Sequence, residues 1–269
     1  MEINRSNINE IVTKASLRPD KDYGQNFLVE PSICEKIVSA LNIEEIDYVL
    51  EVGPGLGSLT HFVSLTNAKY DAVDIDSRMV NFLRVVYQDF SNIQIIESDI
   101  RKHDVSKYNK IIGNLPYNIT TETIQFFLTN AISAKRMIFM IQNEALNRFY
   151  DIKGKEYGPV SVLLHLLGTI EKLLVVKAGS FYPAPKCSSV VFAINIDENK
   201  NREDAIGAFK LAKSLFLNRR KTIQNNLVNT LRDKDLVAKL CSDLDINPLS
   251  RPEDLSPDTY LTIYRYLQK

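Results

Sequence analysis

Asn114-Leu115-Pro116-Tyr117 follows the short apolar run Lys110-Ile111-Ile112-Gly113, which has the length and residue types of a buried strand ending in a tight turn. An amide, a proline and an aromatic ring at a strand's carboxyl end can grip a flat heterocycle bearing an exocyclic amino group. Two acceptors take its hydrogens and a ring stacks on its face. That chemistry describes a pocket for the N6 amino group of adenine. Asn-x-Pro also forms ordinary turns, so the surrounding elements have to decide between the two.

A second cluster lies upstream. Glu51-Val52-Gly53-Pro54-Gly55-Leu56-Gly57 follows a predicted strand and precedes a helix that Ser58 or Thr60 can help start. Glycines allow close backbone approach to a ligand and accept positive φ. The pattern is G-x-G-x-G and not the G-x-G-x-x-G of dinucleotide binders, and Glu51 would repel a pyrophosphate. A carboxylate there suits a ligand with a cationic amino-acid end, as S-adenosylmethionine has. Asp74, about twenty residues beyond the glycine turn, can accept from both hydroxyls of a ribose. Asp76 competes for that role by strand alternation, and Asp74 is preferred as nearer the strand end. Asp99, in Glu97-Ser98-Asp99, can accept from the amino group of the cofactor's adenine.

The elements that must position these residues alternate from about residue 30. Strands are predicted near Tyr48–Val52, Tyr70–Ile75, Ile93–Glu97, Lys110–Gly113, Arg136–Ile141, Leu173–Val176 and Val190–Ile196, with helical patterns between them. Seven such strands imply an α/β fold with a doubly wound, mostly parallel, Rossmann-like sheet. Ligands of such sheets bind outside the strands' carboxyl ends, where these motifs fall. After Ile196 the polar stretch 197–204 gives way to helical periodicity, including Leu211, Leu215, Ile223 and Leu227. The predicted division is therefore a catalytic domain over 1–196 and a small helical domain over 197–269.

Composition sets bounds. The 269 residues are 45% apolar and 25% charged, with 33 basic and 33 acidic side chains, as expected of a globular protein and not of a fibre or a disordered chain. The start has no apolar core of signal-peptide length and no stretch suits a membrane span, so the cytoplasm is expected. Cys34, Cys187 and Cys241, like His61, His103 and His165, are scattered, which suggests neither a zinc site nor a disulfide framework. The charge balance hides an asymmetry: residues 1–180 carry 19 basic against 22 acidic side chains, and residues 181–269 carry 14 against 11. Lys210, Lys213, Arg219, Arg220 and Lys221 share a window free of acids. That window is either a solvated helix face or a surface for phosphates.

Taken together, these residues resemble the ribosomal RNA adenine N6-dimethyltransferase family along nearly the whole chain. Gly24-Gln25-Asn26-Phe27-Leu28 matches the motif in which the Asn and Leu contact S-adenosylmethionine. Gly53, Asp74, Asp99 and Asn114 fall on the remaining cofactor contacts, and Asn114-Leu115-Pro116-Tyr117-Asn118-Ile119 on the catalytic motif. Tyr157-Gly158-Pro159, Phe181-Tyr182-Pro183-Ala184-Pro185-Lys186, Asn218-Arg219-Arg220-Lys221-Thr222 with Asn225-Asn226-Leu227, and Arg251-Pro252-Glu253-Asp254-Leu255-Ser256 resemble its small-subunit branch. Three features depart from the branch. Pro19-Asp20-Lys21-Asp22-Tyr23 is of mixed charge, Asp74 replaces a Glu, and Asn143 stands where Lys often follows Gln142.

The resemblance implies transfer of methyl groups from S-adenosylmethionine to N6 of two adjacent adenosines of small-subunit ribosomal RNA, within a precursor particle and without a metal. Asn114 and the Leu115 or Pro116 carbonyl would accept the N6 hydrogens. Tyr117 and Phe181 would stack on the two faces of the base, though Phe181 beside a proline-rich turn also suits a core. Arg219, Arg220 and Lys221 would meet phosphates. Two other outcomes are carried forward: large-subunit methylation of the macrolide-resistance type, and a non-catalytic ribosome-assembly factor on the same fold. A small-molecule methyltransferase is disfavoured by the basic helical segment.

Overall fold

The computed structural model describes every residue except 18, 20–24, 117 and 118. Nine strands are present among the described residues: β1 Phe27–Leu28, β2 Tyr48–Val52, β3 Lys69–Asp74, β4 Ile93–Glu97, β5 Lys110–Asn114, β6 Arg136–Gln142, β7 Gly168–Val176, β8 Phe181–Tyr182 and β9 Ser189–Ile196. Seven form one sheet in the order β4-β3-β2-β5-β6-β9-β7. The pairs β3–β4, β2–β3, β2–β5 and β5–β6 are parallel, and β6–β9 is antiparallel. Chain order runs outward from β2 in one direction and from β5 in the other, so the switch point lies between these neighbours.

The apolar runs are continuous because the central strands are covered on both faces. Ile111, Ile112, Ile138, Phe139 and Ile141 have no exposed surface, and such burial stabilises by about 1.5–3 kcal/mol per side chain. Each predicted strand of the large sheet is present. The predicted Leu173–Val176 is the last part of β7, whose earlier residues Thr169, Glu171 and Lys172 break the apolar pattern as befits an edge strand. The short antiparallel pair of β1 with β8, Phe27 opposite Tyr182 and Leu28 opposite Phe181, has too few residues to show periodicity.

Two compact units divide the chain, and they differ from the predicted boundary. One comprises 1–143 and 171–195, the other 144–170 and 196–269. Helix Pro159–Leu167 explains the difference: Val160, Val162, Leu163, Leu164, Leu166 and Leu167 are buried, and the helix packs on helices Arg202–Phe216 and Pro257–Tyr266 of the second unit. The predicted polar linker is shorter than 197–204, because Asn201 caps helix Arg202–Phe216 by accepting from the Asp204 N–H at 3.1 Å. Among the described residues no helix is long and apolar enough to cross a membrane.

Candidate active site

In the first unit, strand register assembles the site. Val52 lies opposite Val73 on one side and Gly113 on the other. Gly53, Asp74 and Asn114 are each the next residue, so three loops leave the sheet at one level. β2 and β5 run close together here: a Cβ at position 113 would stand 2.8 Å from the Val52 carbonyl oxygen, so only glycine fits. In the turn after β2, Gly55 has φ of 56° and a Cβ there would lie 2.9 Å from the Phe27 ring. Positive φ and a close neighbour both demand glycine. Ser58 and Thr60 do not cap the helix that follows. Ser58 Oγ donates to the Leu28 carbonyl at 2.7 Å, and Thr60 Oγ1 to Glu51 at 2.7 Å.

These elements enclose a cavity of about 230 Å³ whose wall includes Asn26, Leu28, Gly53, Asp74, Asp99 and Asn114. Every cofactor residue expected from the sequence therefore faces one space. Leu115 and Pro116 line it too, whereas Tyr117 lies outside the described residues. Phe181 is placed differently from its expected role: at 4% exposure it packs in the core beside Leu28, Cys34 and Ile37. So little exposed, it offers a base almost no surface in this geometry, and across the strand pair it lies opposite Leu28, which lines the cavity.

Hydrogen bonding distinguishes Asp74 from Asp76. A carboxylate accepts about four. Asp76 is full: Oδ1 takes the Arg78 N–H and Nε, and Oδ2 takes Arg78 Nη2 and Gln25 Nε2, all within 3.0 Å. Asp74 accepts from backbone N–H groups, including Gly55 at 3.2 Å and Asp76 at 2.9 Å, and from no side chain among the described residues, which leaves it less engaged than Asp76 and more open to ribose hydroxyls. Burial pushes the Asp74 carboxyl above the usual carboxylate range, against the pull of those N–H groups. Asp99 takes Arg101 N and Nε on Oδ1, each at 3.0 Å, and Nη2 on Oδ2 at 2.7 Å. One acceptor site remains, enough for one hydrogen of an exocyclic amine. The Arg101 hydrogen bonds hold the Asp99 carboxyl low, so it stays an acceptor.

Glu51 is 1% exposed and also lines the cavity. Burial raises its carboxyl to about 7 despite hydrogen bonds from Tyr70 and Thr60. A cationic ligand group nearby would favour the ionised form. Asn114 Nδ2 donates to the Asn26 carbonyl at 3.1 Å, which makes Oδ1 the acceptor left to a substrate. The two carbonyls after it differ. Pro116 O already accepts from Ile119 N at 3.3 Å and Thr120 Oγ1 at 3.1 Å, while Leu115 O accepts nothing among the described residues. Sequence reasoning missed Thr60, Tyr70 and Arg101. Arg101 had a signal, since Asp99-x-Arg101 repeats the Asp76-x-Arg78 pattern after the preceding strand. Tyr70 had none, because its approach to Glu51 depends on register.

In the second unit, Arg219 is committed internally. It donates to the Gly154 carbonyl at 2.5 Å, pairs with Glu253 at 3.2 Å and lies over the Phe216 ring. Arg220 and Lys221 are exposed and, among the described residues, unpaired. Asn226, 2% exposed, donates to the carbonyls of Asn218, Lys221 and Thr222, each at 3.2 Å, and so ties down the loop that carries them. Through Gly154, Arg219 also anchors the loop bearing the exposed Lys153 and Lys155, which the basic window in the sequence did not include.

The set of donors and acceptors fits S-adenosylmethionine: a buried carboxylate for the amino end, a carboxylate free of side-chain donors for the ribose and a charge-fixed one for the purine. Among solved structures, a dimethyladenosine transferase from Plasmodium falciparum superposes with a TM-score of 0.77 at 24% identity, covering 90% of this chain and 97% of the other. The 23S rRNA methyltransferase ErmE does so at 0.70 and 19%, covering 91% and 100%. Both share the fold. Proteins called ribosomal RNA small subunit methyltransferase A are 34% identical in Shouchella clausii, over 94% of this chain and 90% of that one, and 33% identical in Alkaliphilus metalliredigens, over 97% and 96%. The family model for ribosomal RNA adenine dimethylase matches residues 17–269, and the chain belongs to that family of S-adenosylmethionine-dependent methyltransferases.

Proposed function

We propose that this protein methylates N6 of adenosines in small-subunit ribosomal RNA, twice at each of two adjacent nucleotides, within a maturing particle in the cytoplasm. The observation that carries the chemistry is the pairing of a held amide, Asn114 Oδ1, with a carbonyl unengaged among the described residues, Leu115 O, in the wall of a cavity that fits an adenosyl ligand. The small-subunit target is supported by the names of relatives over 30% identical across nearly the whole chain.

Asn26, Leu28, Gly53, Asp74 and Asp99 would hold S-adenosylmethionine, which would supply an electrophilic methyl group. The amino lone pair of adenine is delocalised into the ring, so the protein must localise it. Asn114 Oδ1 and Leu115 O accept the two N6 hydrogens and favour a tetrahedral nitrogen whose lone pair points into the cavity. The cationic product nitrogen is acidic and yields its proton to water, so no side-chain base is needed. Tyr117 supplies the stacking face, worth about 1–3 kcal/mol, and the Phe181 core supports Leu28 in the cavity wall. Arg220, Lys221, Lys153 and Lys155 meet phosphates, with Arg219 as their internal brace.

The test uses labelled S-adenosylmethionine with unmethylated small-subunit particles, large-subunit rRNA and free adenosine, followed by nucleoside analysis. Dimethyladenosine from small-subunit particles alone is expected. Label in large-subunit rRNA selects the resistance-type reaction, and cofactor binding without label on any substrate removes the proposal. Asn114→Ala should lower turnover by about 10²-fold or more while changing cofactor affinity far less. Near-normal turnover would overturn the acceptor role.

A further inference from the structure

Helix Thr120–Asn130 begins six residues after Asn114. Helical threonines commonly return their hydroxyl to the carbonyl three or four residues back. Thr120 does so onto Pro116 at 3.1 Å, Thr129 onto Gln125 at 2.9 Å, Thr230 onto Asn226 at 2.9 Å and Thr262 onto Asp258 at 2.9 Å. Thr123 breaks this pattern. It is 1% exposed, its Oγ1 has no hydrogen-bond partner among the described residues, and it lines the cavity beside Ile119, one turn earlier. A buried hydroxyl without a partner is a net cost to the fold, and a valine would fill the same space without it. The cost is relieved if whatever occupies the cavity presents an acceptor.

The position of Thr123 narrows that acceptor. Arg101 and Asp99 line the same cavity as Thr123, and Arg101 grips Asp99. Thr123 and Asp99 therefore face the same space. Asp99 has room for one amino hydrogen, and on an adenine the amino group is flanked by ring nitrogens that only accept. We infer that the Thr123 hydroxyl donates to a ring nitrogen of the cofactor's adenine, so that Asp99 and Thr123 together recognise the alternation of donor and acceptor along that edge. This rests on the assignment of the cavity to S-adenosylmethionine.

The experiment compares Thr123→Val and Thr123→Ser with wild type by calorimetric titration of S-adenosylhomocysteine and of 5′-methylthioadenosine, together with melting of the ligand-free proteins. Valine should weaken both ligands by about 5- to 10-fold. Serine should restore most of the loss, and the ligand-free melting temperature of the valine variant should not fall. Three results would overturn the inference: equal affinity of valine and wild type, loss for S-adenosylhomocysteine but not for methylthioadenosine, or a lower ligand-free melting temperature showing the hydroxyl bonded within the protein. Failure of the underlying assignment looks different, since wild type itself would then bind neither ligand.

Discussion

Replacing Glu51 by glutamine should stabilise this protein, and by an amount that grows with pH. Glu51 is 1% exposed, and burial lifts its carboxyl from 4.5 to about 7 even with Tyr70 and Thr60 donating to it. The folded chain thus holds the proton more tightly than the unfolded chain does. Below the unfolded value of 4.5 the group is protonated in both states and costs nothing. As pH rises towards about 7 the unfolded state ionises first and stability drains away, and above about 7 the loss is complete. A gap of that width corresponds to about 3 kcal/mol, of which roughly 2–3 develops between about pH 5 and about pH 8. That is a large share of a total typically about 5–15 kcal/mol. Glutamine keeps an oxygen for Tyr70 and Thr60 but has no proton to lose. Urea unfolding at the two pH values should therefore show its advantage over wild type widening by about 2–3 kcal/mol from the lower to the higher. An advantage that is the same at both, or absent at the higher pH, would mean that Glu51 is not held as a buried acid. The functional counterpart is the affinity for S-adenosylhomocysteine, which should tighten in wild type as pH rises through about 7 and stay flat in the variant.

The basic residues of the second unit should separate by role. Arg220→Gln with Lys221→Gln should leave melting unchanged and make the salt dependence of RNA binding shallower by about 1–2 in log–log slope, whereas Arg219→Gln should lower the melting temperature by releasing Gly154 and Glu253; the reverse assignment would exchange these outcomes. Asn226→Ala removes a buried amide that holds three carbonyls and should cost about 1–3 kcal/mol in unfolding experiments. It should also weaken RNA binding by loosening the loop of Arg220 and Lys221, and unchanged affinity would show that the loop needs no such anchor.

Much of this was legible in the sequence for a definite physical reason. Strands buried on both faces must be apolar throughout, so Ile111-Ile112 and Met137 to Ile141 announce themselves, and ligand chemistry at strand ends follows their position. What could not be read depends on pairing between distant segments. The β1–β8 pair has two residues a side, and the saturation of Asp76 by Gln25 and Arg78 is invisible until the turn is built. The burial of Phe181 against the core beside Leu28 belongs to the same class. The grouping of 144–170 with the second compact unit was not legible because helix Pro159–Leu167 is apolar nearly all round, which marks it as buried without saying against what.

The glycine at position 113 has a wider consequence. With its missing Cβ within 2.8 Å of the Val52 carbonyl, the strand that delivers the glycine turn and the strand that delivers the acceptor amide are gauged against each other by the sheet itself. On the proposed mechanism, the distance between methyl source and target nitrogen would then be a built dimension and not the result of a loop closing. Changing which nucleotide is modified, in nature or by design, becomes a matter of rewriting the chain beyond Asn114 and the basic loops of the second unit, while the reacting geometry is inherited intact.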